Sequence, residues 1–374
     1  MKKVLILYKF LPQYRVEFFD KLRDALLEEG VELNLVYGKL KNQDAKKNDE
    51  RDLPWANYRE NKIIKLGSTE LLWQPSLDIA KTTDLVIVEQ ANKLLVNYVL
   101  ILLSKLTPLK FAFWGHGMDM QNNPNSLKNR FKYFFLTHSD YWFAYTQGVK
   151  NLLVNKGVQP EKITVVDNAI DTATLKSQNE QYPQNELDRL KSDLGIQGEN
   201  IALYCGGIYS NKRIDFLLEA AQLIKNQVPD FNLLFVGAGA DQFKVIKAAK
   251  QFDWIHYVGP KFGLDRVPYF KMSKLFLMPG LVGLAILDSF ATQTPMVTTE
   301  YPFHSPEIEY LKNKENGLMT SNEVTGYAEE VVELLSNEKA LERLKAGCSD
   351  SSTLYSTENM VQNFKNGVVK CLAS

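Results

Sequence analysis

The sequence predicts an α/β fold of two doubly wound domains, each with a parallel sheet covered by helices on both faces. The chain has 374 residues, about twice the usual size of a single domain. Short, continuously apolar runs alternate with helical patterns, which is typical of parallel strands buried on both faces. The alternation stops at a polar segment and then begins again. Two domains of this kind predict a cleft between them.

The first half contains seven apolar runs that are interpreted as strands, with helical patterns between them. We place the first domain at residues 1–175. The runs are VLILY from Val4, ELNLVYG from Glu32, KIIKLG from Lys62, DLVIVEQ from Asp84, KFAFW from Lys110, YWFAYT from Tyr141 and ITVVDN from Ile163.

A polar segment lies between Thr172 and Asn200 and is interpreted as an inter-domain linker, because it contains a proline, two glycines and little β-propensity. The second domain, at residues 195–355, repeats the alternation. Its helices include DFLLEAAQLIKNQ, from Asp215. Its strands are IALYC from Ile201, NLLFVG from Asn232, WIHYVG from Trp254, KLFLMP from Lys274 and PMVTT from Pro295.

Residues 356–374 form a last helix in this interpretation. The segment STENMVQNFKNGVVKCL has apolar residues at helical spacing and begins at a good cap, Ser356 or Thr357, followed by Glu358. We expect this helix to pack back on the first domain.

Composition excludes several classes of protein. The 44 basic and 44 acidic residues cancel, so no broad nucleic-acid surface is indicated. Three widely spaced cysteines, Cys205, Cys348 and Cys371, are typical of reduced thiols in a cytosolic protein rather than of a disulfide framework or a zinc site. The first apolar run is too short for a signal peptide, and the run from Tyr98 falls far short of the ~20 residues that a spanning helix needs. We therefore expect a cytoplasmic protein.

The stretch YCGGIYSNKRIDFLLEAA combines features of an anion site. A strand ends at Gly206 and Gly207, and Lys212 and Arg213 stand just before a helix. Glycines let backbone N–H groups approach an anion, and a helix N-terminus with two cations favours a diphosphate. A plain strand-to-helix turn with a solvated Lys-Arg pair is the alternative.

The stretch PGLVGLAILDSF places a lone carboxylate in an apolar helix. The helix should begin near Leu284, so that Gly283 lies at its N-terminus and Asp288 about one turn further along. A buried carboxylate is costly without a partner. A ribose with two hydroxyls is one candidate, and a neighbouring serine or backbone N–H is the other.

His116 follows the strand KFAFW and lies between Gly115 and Gly117. The carboxyl end of a strand is where doubly wound domains place their ligand-contacting loops. His116 could therefore donate a hydrogen bond to a substrate hydroxyl or transfer a proton near neutral pH. A histidine whose hydrogen bonds are purely structural is the alternative.

Other familiar motifs are missing from the sequence. Gly237 and Gly239 follow a strand, but no third glycine completes a dinucleotide fingerprint, so a tight turn is favoured over NAD binding. No metal-ligand spacing, P-loop or G-x-S-x-G elbow is present. Nothing in the sequence requires a cofactor or a divalent metal.

A basic and aromatic segment lies in the first half. Residues 101–136 contain five basic residues and only one acidic residue, Asp119. Within them the segment NSLKNRFKYFF alternates Lys128, Arg130 and Lys132 with aromatic residues. This composition suits an interfacial helix on an anionic membrane, although most amphipathic helices pack on their own domain.

Together these stretches resemble the GT-B glycosyltransferases, specifically glycosyltransferase family 4, a retaining group of nucleotide-sugar enzymes. The resemblance covers most of the chain and is strongest from about Ile163 to Gly317. VVDNAID resembles the family's V-x-P-N-G-V-D, with Asn168 and Asp171 matching. YCGGIYSNKRIDFLLEA resembles G-R-L-x-x-x-K-G-x-D-x-L-x-x-A, and PEIEYLKNKENGLM resembles P-E-x-I…N-G-L.

The family's motif E-G-F-G-L-x-x-L-E-A falls on GLVGLAILDS. Gly280 occupies the position of the first Glu, which contacts the donor sugar in the family, and Asp288 that of the second, which holds the ribose. The resemblance implies that backbone N–H groups of Val282, Gly283 and Leu284 approach sugar and phosphate. In the diphosphate loop Gly207 replaces an Arg, Lys212 matches the Lys, and Arg213 replaces a Gly.

The resemblance implies a metal-independent retaining glycosyltransferase that moves a sugar from a nucleotide-diphosphate sugar to an acceptor hydroxyl. His116 matches a histidine near donor sugar and acceptor, and Lys212 and Arg213 would stabilise the departing diphosphate. The expected acceptor is a saccharide or lipid-linked saccharide in polysaccharide, O-antigen or glycolipid assembly, with peripheral contact to an anionic membrane. A non-catalytic GT-B subunit that binds a saccharide or a partner, and a sugar-nucleotide epimerase, are the alternatives.

Overall fold

The chain forms two α/β units, each with its own parallel sheet. The computed structural model describes residues 1–39, 51–67, 69–117 and 136–374. One unit comprises Met1–Ile170 and Thr357–Ser374, and the other comprises Asp171–Ser356. The predicted fold class is confirmed.

The first unit has a seven-stranded sheet in the order β3-β2-β1-β6-β7-β8-β9, with all neighbours parallel. Its buried strands are the continuous apolar runs of the sequence. The strands are β1 Lys2–Tyr8, β2 Val31–Tyr37, β3 Asn57–Tyr58, β4 Lys62–Leu66, β5 Thr69–Trp73, β6 Leu85–Glu89, β7 Lys110–Gly115, β8 Tyr141–Ala144 and β9 Ile163–Val165, and the helices are α1 Val16–Glu28, α2 Leu77–Ala80, α3 Leu95–Leu106 and α4 Gln147–Asn155.

One predicted strand lies outside this sheet. The run KIIKL forms β4, which pairs antiparallel with β5 in a separate hairpin. Gly67, with φ of +59°, lies after β4 where the chain reverses. Ile64 is 47% exposed, so this run is not the doubly covered strand that its apolar residues suggested. The short strand β3, which the sequence did not indicate, occupies the edge of the sheet instead.

The second unit has a six-stranded parallel sheet in the order β12-β11-β10-β13-β14-β15. Five of these strands were predicted, and the short β15 was not. The strands are β10 Ile201–Cys205, β11 Asn232–Val236, β12 Ile255–Gly259, β13 Leu275–Leu277, β14 Met296–Thr299 and β15 Gly317–Thr320. The helices are α5 Ala173–Gln181, α6 Gln184–Asp193, α7 Ile214–Gln227, α8 Gln242–Gln251, α9 Val267–Lys271, α10 Ala285–Thr292, α11 Val324–Ser336 and α12 Glu338–Leu354.

The polar segment interpreted as a linker forms two helices of the second unit, α5 and α6. Leu175 of α5 is 3% exposed and packs with Val267 and Ala291, and Tyr182 covers this cluster. The polar residues lie on the exposed faces of these helices, which is why the composition resembled a linker. The second unit therefore begins at Asp171 rather than near residue 195.

The last helix, α13 Thr357–Ala373, belongs to the first unit. It begins at one of the two predicted cap positions and packs against α1 and the strands β8 and β9. Among the helices of the described residues, none is both long and apolar enough to cross a bilayer. The apolar run from Tyr98 lies within the 12-residue helix α3.

Candidate functional site

The second sheet has a topological switch point between β10 and β13, where the order of the strands reverses. Open α/β sheets bind ligands in the crevice outside the carboxyl ends of their strands at such a point. Two loops leave the sheet there, residues 206–213 after β10 and residues 278–284 after β13. Nine of the ten predicted site residues lie on these loops or on α10, which follows the second loop.

Gly206 and Gly207 end β10 in a conformation that glycine permits. Gly206 has φ of +146°, and the Gly207 carbonyl accepts a 2.6 Å hydrogen bond from the Tyr204 hydroxyl. The ring of Tyr209 lies over Gly207, since a Cβ at that position would come within 2.9 Å of Tyr209 Cδ2. Tyr209 is 44% exposed and thus covers the place where the resemblance puts an arginine.

Gly237 and Gly239 have a packing role. A Cβ on Gly237 would collide with the Gly206 carbonyl, and one on Gly239 would lie 2.6 Å from the Ile208 carbonyl carbon. The Ile208 N–H donates to the Ala238 carbonyl at 2.9 Å. These glycines let the loop after β11 support the loop after β10, which agrees with the interpretation as a turn.

Gly280 is required by the close approach of the two site loops. A Cβ there would collide with the Asn211 carbonyl oxygen and would lie 2.7 Å from Lys212 Cα. The Leu281 N–H donates to the same Asn211 carbonyl at 2.9 Å. The backbone of the Lys212 loop therefore occupies the space that a glutamate side chain would need at position 280.

Lys212 crosses from one loop to the other. Its Nζ donates to the Leu281 carbonyl and lies 3.9 Å from Met278 Sδ. Burial lowers the pKa of Lys212 to about 8. No ion pair joins Lys212 to a carboxylate in the described part of the chain. The ammonium group is thus a cation at the switch point without an acidic counter-charge.

Arg213 points elsewhere, which corrects the expectation of two cations acting together on a diphosphate. Its Nη1 donates to the Pro279 carbonyl at 3.2 Å, to Thr299 Oγ1 at 3.1 Å and to Asn322 Oδ1. The guanidinium also lies 4.1 Å from the centre of the Phe216 ring. Arg213 thereby ties the end of β13 to β14 and to the residues after β15.

The backbone conformation of Arg213 is unusual for a residue with a side chain. It has φ of +56°, in the left-handed region, at the N-terminus of α7. That conformation costs about 1–2 kcal/mol for residues other than glycine. It also agrees with the resemblance, which places a glycine at this position.

The loop before α10 contains Val282, Gly283 and Leu284. Their backbone N–H groups differ in whether they have an acceptor within the protein. The Val282 N–H donates to His304 Nδ1 at 3.0 Å, so it does not face a ligand as the sequence suggested. The N–H groups of Gly283 and Leu284 have no acceptor among the described residues. They precede the eight-residue helix α10, whose N-terminal dipole end favours an anion.

Asp288 has a partner within the chain that the sequence did not indicate. It is 5% exposed and forms a two-point ion pair with Arg266, with Nη1 at 2.6 Å from Oδ2 and Nη2 at 3.3 Å from Oδ1. Arg266 ends the 3-10 turn Gly263–Arg266, and its guanidinium also reaches the thiol of Cys205. A buried carboxylate needs a partner such as a cation, but the separation of 22 positions in sequence leaves no local signal for which cation it is.

A buried thiol beside this ion pair and the arginine of the pair have shifted pKa values. Burial raises the pKa of the Cys205 thiol to about 12, which keeps it protonated and unreactive. The charge of Asp288 raises the pKa of Arg266 above its ordinary value. The Arg266 guanidinium therefore keeps its charge beside the carboxylate.

His116 lies in the first unit, directly after β7. Its side chain is exposed, and its ring packs edge-on against Tyr145 with 4.6 Å between the ring centres. Gly117, with φ of +70°, turns the chain away from the strand. The basic and aromatic segment with Lys128, Arg130 and Lys132 lies outside the described residues.

The residues that the structure describes hold no group of three or more histidines, cysteines or acids placed to bind a metal ion. Cys205, Cys348 and Cys371 are buried free thiols.

Comparison with known proteins gives matches in sequence and in fold. Residues 199–337 match the family model described as Glycosyl transferases group 1. A protein of Haemophilus influenzae named as an uncharacterized glycosyltransferase is 24% identical over 323 residues, which cover 84% of this chain and 82% of that protein.

Two of the solved structures that resemble this chain are similar over nearly its whole length. HepE of Anabaena, in complex with UDP, has a TM-score of 0.71 and 13% identity, covering 99% of this chain and 100% of that one. Sucrose-phosphate synthase of Thermosynechococcus elongatus has a TM-score of 0.71 and 14% identity, covering 100% of both chains. At these identities the likeness concerns the fold of the two units.

Proposed function

We propose that the chain is a retaining glycosyltransferase of GT-B fold that uses a nucleotide-diphosphate sugar, because residues 199–337 match the family model described as Glycosyl transferases group 1 and the fold resembles the two solved structures named above. The observation that carries the proposal is the position of Lys212. It brings a cation to the switch point, beside the free N–H groups of Gly283 and Leu284. A cation and a helix N-terminus together suit a diphosphate.

In the proposed reaction the bond between the anomeric carbon and the diphosphate oxygen breaks, and its electron pair goes to that oxygen. The acceptor hydroxyl attacks the same face of the sugar and gives its proton to the departing phosphate. Lys212 and the N–H groups of Gly283 and Leu284 would stabilise the growing negative charge. His116 would orient or polarise the sugar, and no step in this scheme needs a metal.

Asp288 would accept hydrogen bonds from the ribose hydroxyls while paired with Arg266. A carboxylate has about four acceptor positions, and Arg266 occupies two of them. Arg213 would act as a support for the loop rather than as a catalytic cation. The proposed site therefore uses one cation on the diphosphate and one on the ribose-binding carboxylate.

The proposal extends to the acceptor, the location of the protein and the donor nucleotide. We infer a saccharide or lipid-linked saccharide acceptor in polysaccharide, O-antigen or glycolipid assembly, with the protein cytoplasmic and peripheral to an anionic membrane. The basic and aromatic composition of residues 128–135 supports the membrane contact. HepE was solved with UDP, so UDP and its sugars are the first donors to test.

A thermal-shift screen with UDP, GDP, dTDP and their sugars tests the donor site, because a ligand that binds the folded state raises Tm. The sugar nucleotide that binds then serves as the donor in an assay of sugar transfer and donor hydrolysis. Lys212→Ala should lower turnover by roughly two to three orders of magnitude, as for the loss of one oxyanion donor. Lys250→Ala, an exposed lysine of the same unit, should change nothing. A wild-type Tm that no nucleotide shifts, or an undiminished Lys212→Ala rate, contradicts the proposal.

Gly280 supports a second candidate, a GT-B subunit that binds a saccharide or a partner without turnover. The side chain that contacts the donor sugar in the family is missing there, and the backbone of Lys212 fills its space. Nucleotide binding with neither transfer nor donor hydrolysis would favour this candidate. Interconversion of sugar nucleotides by the purified protein would instead indicate an epimerase.

A further inference from the structure

His304 uses both of its ring nitrogens to hold the backbone of the site. Nδ1 lies 3.0 Å from the Val282 nitrogen, and Nε2 lies 2.9 Å from the Thr299 carbonyl oxygen. A backbone N–H can only donate and a carbonyl can only accept, so the two partners determine the proton positions. Nδ1 must carry a lone pair and Nε2 a proton, which is the neutral imidazole in one tautomer.

The loop before α10 is held from two sides. On one side His304 binds the Val282 N–H, and the Ser305 N–H donates to the Val282 carbonyl at 2.9 Å. On the other side the Leu281 N–H donates to the Asn211 carbonyl, and Lys212 binds the Leu281 carbonyl. With residues 281 and 282 held in this way, the next two N–H groups, of Gly283 and Leu284, remain available to an anion.

We propose that His304 is the positioning residue of the donor loop, and that it aims the N–H groups of Gly283 and Leu284 only while its ring is neutral. This inference rests on the proposed function, because the anion is taken to be the donor diphosphate. Protonation would place an Nδ1–H against the Val282 N–H, so that two donors face each other. The loop would then lose the contact that holds it on the His304 side.

The surroundings of His304 favour the neutral ring. Burial lowers the pKa of His304, the Thr299 carbonyl opposes this, and the charge of Lys212 lowers the pKa further. The ring of Tyr301 packs edge-on at 5.7 Å, and Arg213 binds the hydroxyl of Thr299. Because the folded pKa lies below the ordinary value of 6.5, the stabilisation is present at neutral pH and is lost as pH falls through the folded pKa.

The tautomer can be measured without any nucleotide. The chain has only four histidines, so the ¹⁵N signals of His304 can be assigned with a His304→Asn variant. At pH 7 we expect a protonated Nε2 and an unprotonated Nδ1. A protonated Nδ1 at pH 7 overturns the inference whatever the nucleotide does.

Two variants of similar chemistry separate positioning from general stability. His304→Asn keeps a polar atom near the Nδ1 position and can still accept from Val282. His304→Gln reaches the Nε2 position and keeps the contact to Thr299 instead. With the best binder of UDP, GDP and dTDP as probe, we expect Asn to keep the wild-type Kd and Gln to bind about three- to tenfold more weakly, the effect of losing one hydrogen bond. The Tm of each variant checks that it is folded.

The pH dependence of nucleotide binding separates positioning by the neutral ring from a purely structural role, which would not change with the protonation of His304. As the pH falls from 8 to 5 the wild-type Kd should rise relative to that of His304→Asn, since of the two side chains compared at position 304 only the histidine titrates. The ratio of the two Kd values removes the titration of Lys212 and of the nucleotide's own phosphate, which both measurements share. Equal Kd values for the Asn and Gln variants, or a ratio that does not change with pH, overturn the inference. A wild-type protein that binds none of the three nucleotides overturns the proposed function itself.

Discussion

At the scale of single residues, Lys212 combines a charge with a largely buried position. Burial without a carboxylate partner favours the neutral amine, which is why the pKa falls from 10.5 to about 8. An incoming diphosphate would supply the missing counter-charge and raise the pKa again. The lysine is thus arranged so that its protonated form is favoured most when the anion is bound.

This gives a pH dependence with a definite sign. The value of kcat/KM, which reports the free enzyme, should fall above about pH 8 as Lys212 loses its proton, whereas kcat should fall at higher pH. Lys212→Arg should move the alkaline limb of kcat/KM out of range, because guanidinium stays charged. If the alkaline limb stays near pH 8 in that variant, it belongs to another group.

The stability of the protein has the opposite trend with pH. Between pH 8 and 10.5 the unfolded chain binds more protons at Lys212 than the folded chain does, so the free energy of unfolding rises with pH.

Gly280 gives a second prediction at this scale. Gly280→Ala inserts a methyl group into the backbone of Asn211 and Lys212, so the free energy of unfolding should fall by roughly 1–3 kcal/mol and nucleotide binding should weaken. Gly283→Ala is the matched control for stability alone, since its Cβ would meet only the side chain of Ser305, with the rotatable hydroxyl at 3.3 Å. Denaturant unfolding and calorimetric titration with UDP measure both effects. Equal tolerance of the two substitutions would contradict the role assigned to Gly280.

At the scale of elements, charged side chains join pieces of the second unit that the sheet alone does not connect. Arg213 links β13 and β14 with the residues after β15. Arg266 links the 3-10 turn Gly263–Arg266 to α10 through Asp288, beside the end of β10. These cations hold the loops of the site at fixed spacing.

The ion pair of Arg266 and Asp288 can be tested by a double-mutant cycle. Arg266→Met should lower the free energy of unfolding by about 3 kcal/mol or more, because a buried carboxylate is left without its cation. Arg266→Met combined with Asp288→Leu should recover most of that loss. Lys244→Ala breaks partly exposed ion pairs to Asp215 and Asp241 and should have little effect. A double variant as unstable as Arg266→Met would contradict the coupling.

At the scale of the whole molecule, the last helix completes the first unit although the second unit lies between them in sequence. Phe364 of α13 is fully buried, stacks on Phe143 at 4.3 Å and contacts Phe18 and Trp114 edge-on. Gly367 lets the helix approach the sheet, since a Cβ there would lie 2.7 Å from the Phe143 ring. The first unit therefore needs both ends of the chain to close its core.

Phe364→Ala should destabilise the first unit by about 3 to 5 kcal/mol, the cost of losing a large buried aromatic side chain. Val369→Ala, an exposed position on the same helix, is the control. Denaturation followed by tryptophan fluorescence reports mainly this unit, because Trp55, Trp73, Trp114 and Trp142 lie in it and only Trp254 lies in the other. An unchanged transition would show that the last helix is not needed for that core.

The sequence by itself determined the two sets of parallel strands, the loops at their carboxyl ends and the last helix. Hydrophobic periodicity and glycine placement are local properties, and they position strands and turns without reference to the rest of the chain. The same local signals failed for KIIKL and for the segment after Thr172. The sequence of an apolar run does not determine which sheet the strand joins. A polar composition is common to linkers and to helices with one exposed face, so it cannot separate the two.

Only the tertiary structure decided what the site residues contact. Arg213 lies 66 residues from Pro279 and 109 from Asn322, and Asp288 lies 22 from Arg266. His304 acquired its role because β14 returns beside the loop of Val282, 22 residues earlier. Gly280 could be recognised as missing a side chain, but not as the point where two backbones meet. Such contacts depend on the order of the strands in the sheet, and the local pattern of residues does not encode that order.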